Sequence, residues 1–521
     1  MFVRKGKISN NLKHLGPQRV ERLQHSKPLS RRHFLSHLIK VGVAGTAASF
    51  ASPSTIGFQS VANPNNKTIN SSITTRPNFI IILCDNLGYG DVGCFGSSLH
   101  RTPNIDRLAV EGMLFTDFYA TSGVCTPSRA SLMTGCYPRR INMHIGENGQ
   151  PVLKPVSKKG LNPKETTIAE ILKSKGYATA CIGKWHLGDQ LSFLPTRQGF
   201  DYYFGIPYSD DMTAQPNRNW PPLPLMENEK VIHAPANRNV LTKLYTEKAV
   251  EFIKANKNKP FFLYLPHAMP GSTRSPFASE TFRGKSRNGP WGDSVEEIDF
   301  STGRIIAALK HLGLENNTLV VWTSDNGAPR RNPLQGSNLP LAGWGYTTAE
   351  GGQRVPCVMW WPSKIPAGTT CSELCTTMDL LPTFAKLAGT SSPQDRIIDG
   401  HDIWPLASGR HNAKSPYKAF YYYYMEQLQA IRSGKWKLYL PLKAKLHILR
   451  RQTKPSSAEL YDLTEDIGET RNLVAEYPDI VKHLLAIAKK ARDDLGDMGR
   501  PGKNQRPAAF VDKPTPRLLK M

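Results

Sequence analysis

The residues best equipped for chemistry in this chain stand in five consecutive positions, Cys125-Thr126-Pro127-Ser128-Arg129. Pro127 carries the φ that a first helical turn needs, and Ala130-Ser131-Leu132-Met133 can continue the helix. A nucleophile at a helix N-terminus faces unpaired N–H groups and the positive end of the dipole, which suits an anion such as sulfate. Arg129 adds a fork-shaped donor that can pair an anion's oxygens and support the side chain at 125. The same spacing also fits a buried structural cysteine before a Pro-initiated helix, so the motif needs partners from elsewhere in the chain.

Two apolar runs supply candidates. Residues 78–84 form a short β-branched stretch that stops at Asp85-Asn86, and residues 318–323 repeat the pattern before Ser324-Asp325-Asn326-Gly327. Each reads as a buried strand of a parallel sheet. Ligands of open α/β sheets bind beyond the carboxyl ends of the strands. If the two strands are neighbours, two carboxylates and two amide oxygens converge, a hard-oxygen set suited to calcium or magnesium. Taken singly, Asp-Asn and Asn-Gly also make ordinary turns.

The elements that must position these residues alternate. A helix is predicted over 167–175. A strand over 177–182 follows it and ends in Gly183-Lys184-Trp185-His186-Leu187-Gly188; extended backbone there would face Lys184 and His186 the same way. Further strands are predicted over 259–266 and 355–362, and a helix over 294–309. Beyond residue 410 the pattern changes to hairpin strands over 420–424, 428–433 and 435–440, then a helix over 480–494. The fold expected is α/β, a large central mixed β-sheet sandwiched by helices with a smaller C-terminal α+β domain. The boundaries drawn are a signal region at 1–58, a linker at 59–75, a catalytic domain at 76–410, a C-terminal subdomain at 411–498 and a basic Pro-rich tail at 499–521.

Composition narrows the partners. Net charge is +25 over 521 residues. The first 51 residues hold ten Lys or Arg against the single acid Glu21, a local +9 that leaves +16 on the remainder. That balance suits a polyanion, but no zinc-finger, helix-turn-helix or RNA-binding motif is present, which disfavours nucleic acid. Eight cysteines without a C-x-x-C pair exclude a disulfide scaffold and a zinc site of that type; a local Cys371–Cys375 bridge stays open. Near the N-terminus, Ser30-Arg31-Arg32-His33-Phe34-Leu35 precedes an apolar run too short for a stable membrane span. It resembles a twin-arginine signal, with export to the periplasm or medium as the consequence.

Taken together, Cys125-x-Pro-x-Arg129 with Leu132-x-Thr134-Gly135, the Gly183–Gly188 segment, and the 199–212 stretch Gly-Phe-Asp-Tyr-Tyr-Phe-Gly-Ile-Pro-Tyr-Ser-Asp-Asp-Met resemble type I sulfatases of the alkaline phosphatase superfamily, nearest to arylsulfatase A-like members. The resemblance covers about 76 to 498. It implies that Cys125 is oxidised to formylglycine by a formylglycine-generating enzyme, and that the hydrated aldehyde attacks the sulfur of a sulfate ester. It further implies a Ca2+ or Mg2+ ion held by Asp85, Asn86, residue 125, Asp325 and Asn326. Arg129 supports the nucleophile, Lys184 binds sulfate, His186 contacts the formylglycine hydroxyl, and Asp325 deprotonates the attacking oxygen. The implied substrate is a sulfated small molecule or polysaccharide.

Three positions depart from that pattern. Asn86 stands where the family has a second Asp, Gly271 where it has a sulfate-binding histidine, and Gly345 where it has a lysine. Each lost cation is worth ~2–4 kcal/mol by analogy with oxyanion-hole deletions. The two glycines leave room for a bulkier substrate, and His267 on the post-strand loop becomes the candidate leaving-group acid. Phosphodiester or phosphonate hydrolysis and non-catalytic polyanion binding are the alternatives to sulfate-ester hydrolysis. Replacing Arg31 and Arg32 by Lys is expected to hold the precursor in the cytoplasm; fractionation that still finds it exported would point to the general secretory route.

Overall fold

The structure is a computed structural model that describes residues 76–446 and 454–520. The twin-arginine-like segment and the linker lie outside the described residues.

The strand Asn78–Asp85 reads Asn-Phe-Ile-Ile-Ile-Leu-Cys-Asp, and all eight residues are buried. Such a run is stable only where both faces of the sheet are covered. Phe79, Ile81 and Leu83 face a core shared with helices Cys125–Thr134, Ile168–Lys173 and Leu380–Leu387. Ile80, Ile82 and Cys84 face the opposite core, built on helices Pro103–Glu111, Leu241–Ala255 and Gly289–His311. Each fully buried Ile or Leu contributes about 1.5–3 kcal/mol.

Around this strand lies a ten-stranded mixed sheet. Its centre is five parallel strands in the order Thr318–Ser324, Asn78–Asp85, Phe261–Pro270, Ala178–Lys184 and Tyr202–Ile206, with antiparallel pairing on both flanks. The two apolar runs are direct neighbours, in register from Asn78 opposite Thr318 to Cys84 opposite Ser324. The carboxyl ends of all five strands therefore open on one edge. The expected α/β sandwich is what the structure shows.

Two elements run longer than their patterns predict. The helix Gly289–His311 begins five residues early, with a proline in its first turn. The strand Phe261–Pro270 continues past 266 because Pro270 still pairs with Asp85. His267 is therefore a strand residue and not a loop residue.

A second, four-stranded antiparallel sheet (Phe420–Tyr424, Gln427–Ser433, Trp436–Tyr439, Glu459–Asp462) packs with helix Pro478–Leu495 around its own core. The segment beyond 499 is extended and lies along the large domain. Ala509–Phe510 pairs with Lys159–Gly160, and Arg506 bridges to Glu165 at 2.8 Å. All eight cysteines, Cys371 and Cys375 included, are free. Among the described residues no helix is long and apolar enough to cross a membrane.

Buried charge ties the two sheets together. Glu350 is fully buried; it accepts from Lys437 Nζ at 2.9 Å and from the hydroxyl of Tyr422 at 2.7 Å, and bonds Tyr119 as well. Arg432 of the smaller sheet meets Asp117 at 2.6 Å. Burial alone would raise the Glu350 pKa, but Lys437, Arg354 and Arg432 hold it well below the ordinary glutamate value. A lowered folded-state pKa adds stability above the unfolded-state value and loses it as pH falls toward the folded one. Glu350→Gln is therefore expected to cost about 3 kcal/mol at pH 7, since it leaves Lys437 and Arg354 under-compensated in a dry site. The gap should narrow on acidification below pH 4. Denaturant unfolding of both proteins at the two pH values checks this, and a constant gap would remove Glu350 from the linkage.

Candidate active site

At the open edge, Cys125 is the first residue of helix Cys125–Thr134, preceded by extended Val124. Its Sγ lies 3.4 Å from Lys184 Nζ and 3.9 Å from Asn86 Oδ1. Arg129, one turn on, is fully buried, and its guanidinium is engaged on every side. Nε donates to Asp325 Oδ2 at 2.9 Å, Nη1 to the Lys184 carbonyl at 2.8 Å, and Nη2 to Asp85 Oδ1 at 2.9 Å. Lys184 Nζ reaches the same Asp85 oxygen at 2.7 Å and Ser209 Oγ at 3.2 Å. The eight residues named from the sequence thus fall in one buried region, except that His186 turns aside.

The charges are strongly coupled. Burial penalises Asp85, yet Lys184 and Arg129 hold its carboxyl well below the usual carboxylate range. Burial and then the Asp85 charge push Asp325 the other way. Lys184 is held above its ordinary value, against the cost of burial, chiefly by Asp85. Two carboxylates and two cations cancel formally.

Oxygen donors are left over inside this cluster. Among the described residues, Asp85 Oδ2 and Asn326 Oδ1 are buried without a hydrogen-bond partner. A bare buried carboxylate oxygen is costly unless something cationic meets it. Ligand atoms of Asp85, Cys125 and Asp325 lie within 4.8 Å of one another, and Asn86 Oδ1 adjoins Asn326 Nδ2 at 2.6 Å. The oxygens of Asp85, Asn86, Asp325 and Asn326 fit a hard divalent cation, with the Cys125 sulfur beside them. Asn86 itself has φ +62°, a left-handed conformation that asparagine tolerates better than most residues.

Several sequence expectations change. Arg129 offers no free fork to an incoming anion, because its donors already clamp the two carboxylates. His186 is not extended: at φ +64° its Nε2 bonds the Leu153 carbonyl at 3.1 Å, leaving Nδ1 buried without a partner. Burial and then Lys184 push its pKa well below the ordinary value, so the ring is neutral. His267 is fully buried between Ser301 (3.3 Å) and the ring of Tyr245, against the helices and away from the cluster; burial lowers it to about 3. It is not placed to protonate a leaving group.

Neither glycine leaves room. A Cβ on Gly345 would stand 2.2 Å from the Gly327 carbonyl oxygen. Gly271, at φ +75°, donates its N–H to the Asp85 carbonyl at 2.9 Å, and a Cβ there would meet the Ala268 carbonyl at 2.6 Å and Asp210 Oδ1 at 3.0 Å. Backbone and a carboxyl already occupy the space.

Comparison with known proteins gives this geometry its context. The family model described as Sulfatase matches residues 77–390. The chain belongs to the sulfatase family. A second model, N-sulphoglucosamine sulphohydrolase, C-terminal, matches residues 347–494 of this sulfatase. Human arylsulfatase A is 36% identical over 455 residues, covering 80% of this chain and 87% of that protein. Dog N-acetylgalactosamine-6-sulfatase is 39% identical over 378 residues, covering 69% and 71%. A solved Bacteroides thetaiotaomicron protein, described with that organism's metabolism of multiple glycosaminoglycans, superimposes with a TM-score of 0.71 at 27% identity, covering 80% of this chain and 99% of its own. The protein is thus a sulfuric ester hydrolase on an alkaline phosphatase-type fold.

Four residues at this sulfatase site carry no role in the sequence reading. Ser209 and Asp210 lie in the 199–212 stretch, where the resemblance was visible but no chemistry was attached. Ser272 accepts from Asn86 Nδ2 at 3.1 Å and lies 3.4 Å from the Tyr346 hydroxyl. Tyr346, at φ +67°, follows Gly345. Nothing in linear spacing brings either toward Asn86.

Asp325→Ala is expected to lose the bound divalent ion together with turnover. Asn86→Asp should tighten binding by restoring a charged oxygen ligand at an unchanged backbone position. Metal analysis of the purified variants, with calcium titration followed by thermal melting, checks both. Unchanged metal content in Asp325→Ala would remove Asp325 from the site.

Proposed function

We propose that this sulfatase hydrolyses its ester through formylglycine at position 125, with a calcium or magnesium ion held by Asp85, Asn86, Asp325, Asn326 and residue 125, and that its natural substrate is a sulfated carbohydrate. The observation that carries the mechanism is the buried Asp85–Asp325 pair, with the orphaned oxygens of Asp85 and Asn326, beside a helix-initiating Cys125 in contact with Lys184. As a thiol, Cys125 is a poor nucleophile: burial, then the Asp85 charge, drive its pKa well above the ordinary cysteine value. Oxidation removes that difficulty, and the Sγ position then corresponds to one oxygen of the hydrated aldehyde.

The ion supplies Lewis-acid stabilisation of negative charge on the attacking oxygen. The chain's own groups do the rest. Arg129 holds both carboxylates in place, and Asp325, already pushed upward in pKa, accepts the proton of the attacking oxygen. Lys184 pairs the sulfate oxygens, and the neutral His186 offers Nδ1 to the remaining hydroxyl. Helix N–H groups at Cys125 face the same anion.

The substrate class rests on a cleft of about 350 Å³ lined by Arg274, Arg330, Arg331 and Asn332. Arg331 donates to the Gly271 carbonyl at 3.1 Å, so the cleft adjoins the site. Among the described residues none of the three arginines pairs with a carboxylate, and Arg331 Nε is buried without a partner. Unpaired guanidinium groups next to a sulfate pocket favour a substrate with further anionic groups along its length. The relative described with glycosaminoglycan metabolism points the same way.

Peptide mass spectrometry of active protein should find the sulfur of Cys125 replaced by a carbonyl oxygen, and co-expression with a formylglycine-generating enzyme should raise activity. Nitrophenyl sulfate should turn over far faster than bis-nitrophenyl phosphate, and Cys125→Ala should lose both. Full activity with an unmodified thiol, or the opposite substrate preference, would overturn this function.

A further inference from the structure

One carboxyl in this region has no part in the cation site. Asp210 is fully buried, and among the described residues neither of its side-chain oxygens has a hydrogen-bond partner. It follows Ser209, whose Oγ takes the Lys184 ammonium at 3.2 Å; that ammonium is also 3.4 Å from Cys125 Sγ. Its Oδ1 stands 3.0 Å from where a side chain on Gly271 would begin, and Gly271 is bonded to the Asp85 backbone. The carboxyl thus lies against Gly271, next in the chain to the serine that holds the Lys184 ammonium.

A buried carboxyl without partners is costly as an anion and tolerable as a neutral acid. Burial, then the Asp211 charge, push the Asp210 pKa up to about 8, with Asp85 adding to the rise and Lys184 and Arg238 opposing it. Arg331 and the Tyr245 hydroxyl are the other ionisable groups whose charge it feels. The Lys184 ammonium already has three partners, Asp85, Cys125 and Ser209, and its pKa is raised. His186 holds its Nε2 proton in the bond to the Leu153 carbonyl, and His267 is enclosed elsewhere. An anionic sulfate ester entering beside Asp210 would favour the neutral form further.

Resting on the sulfatase reading, we propose that Asp210 is the general acid that protonates the leaving oxygen. As the new oxygen–sulfur bond forms at residue 125, the bond from sulfur to the ester oxygen breaks and its electron pair stays on that oxygen. The oxygen takes the Asp210 proton and departs as a neutral alcohol. Asp210 is left as a carboxylate and regains a proton from water.

The test compares wild type, Asp210→Asn and Asp210→Glu, each with Cys125 converted, on an alkyl sulfate and on nitrophenyl sulfate across pH 5–10. General acid catalysis is worth ~10²–10⁴-fold, and nitrophenolate needs little of it. Asp210→Asn should therefore lower kcat/KM on the alkyl ester by at least ~10²-fold while costing the aryl ester about tenfold or less. The fall in alkyl-ester activity above about pH 8 in wild type should disappear in Asp210→Asn, and Asp210→Glu should restore part of the rate. Infrared difference titration should lose one carboxyl in Asp210→Asn, a readout independent of turnover. Equal slowing of both esters with the alkaline limb retained would overturn this role and leave the sulfatase mechanism standing. A converted wild type that cleaves neither ester would overturn both.

Discussion

Two acids and two bases share a dry space at the ends of neighbouring strands, and the site is organised around how they neutralise one another. Arg129 bridges Asp85 and Asp325 while Lys184 meets the same Asp85 oxygen as Arg129. Ionised groups this deeply buried persist only when paired and hydrogen-bonded. Removing any one would leave the others uncompensated, so the cluster fixes the spacing of the strands that carry it. Arg129 is for that reason a positioning group. Its charge acts through the carboxylates it holds.

The cluster in turn depends on parallel pairing. Asp85 and Asp325 come from runs some 240 residues apart, and an in-register match from Asn78–Thr318 to Cys84–Ser324 brings them level. A one-residue slip would turn one acid to the opposite face of the sheet. The hydrophobic cores on both faces specify that register, since Phe79, Ile81 and Leu83 must face one set of helices and Ile80, Ile82 and Cys84 the other. Burial of apolar side chains and placement of the acids are one constraint. The same logic operates at the join with the smaller sheet, where Glu350 and Lys437 meet in a fully buried pair.

The missing cations show how a site tolerates loss. Gly345 lets its backbone close on the Gly327 carbonyl, and Tyr346 beside it presents a hydroxyl toward Ser272. At Gly271 the vacated direction is taken by Asp210. At the two positions where the resemblance places a cation, the structure has the Tyr346 hydroxyl and the Asp210 carboxyl nearby instead. Basic charge reappears farther out, in the Arg274–Arg331 cleft.

Much of this was legible in the amino-acid order alone. Apolar runs stopping at Asp-Asn, a Pro-initiated helix behind Cys125, and the Gly-Lys-Trp-His-Leu-Gly segment are local patterns whose physics is local, so strand ends, helix start and candidate donors follow from them. Orientation was not legible. Whether Arg129 greets an anion or clamps two carboxylates depends on Asp85 and Asp325 arriving together. His267 lies inside the sheet because Pro270 still pairs with Asp85. Gly271 and Gly345 read as empty space until folding brings Asp210 and the Gly327 carbonyl against them. Sequence determines which groups are available; only long-range packing decides which of them meet, which are already paired, and which are left without a partner.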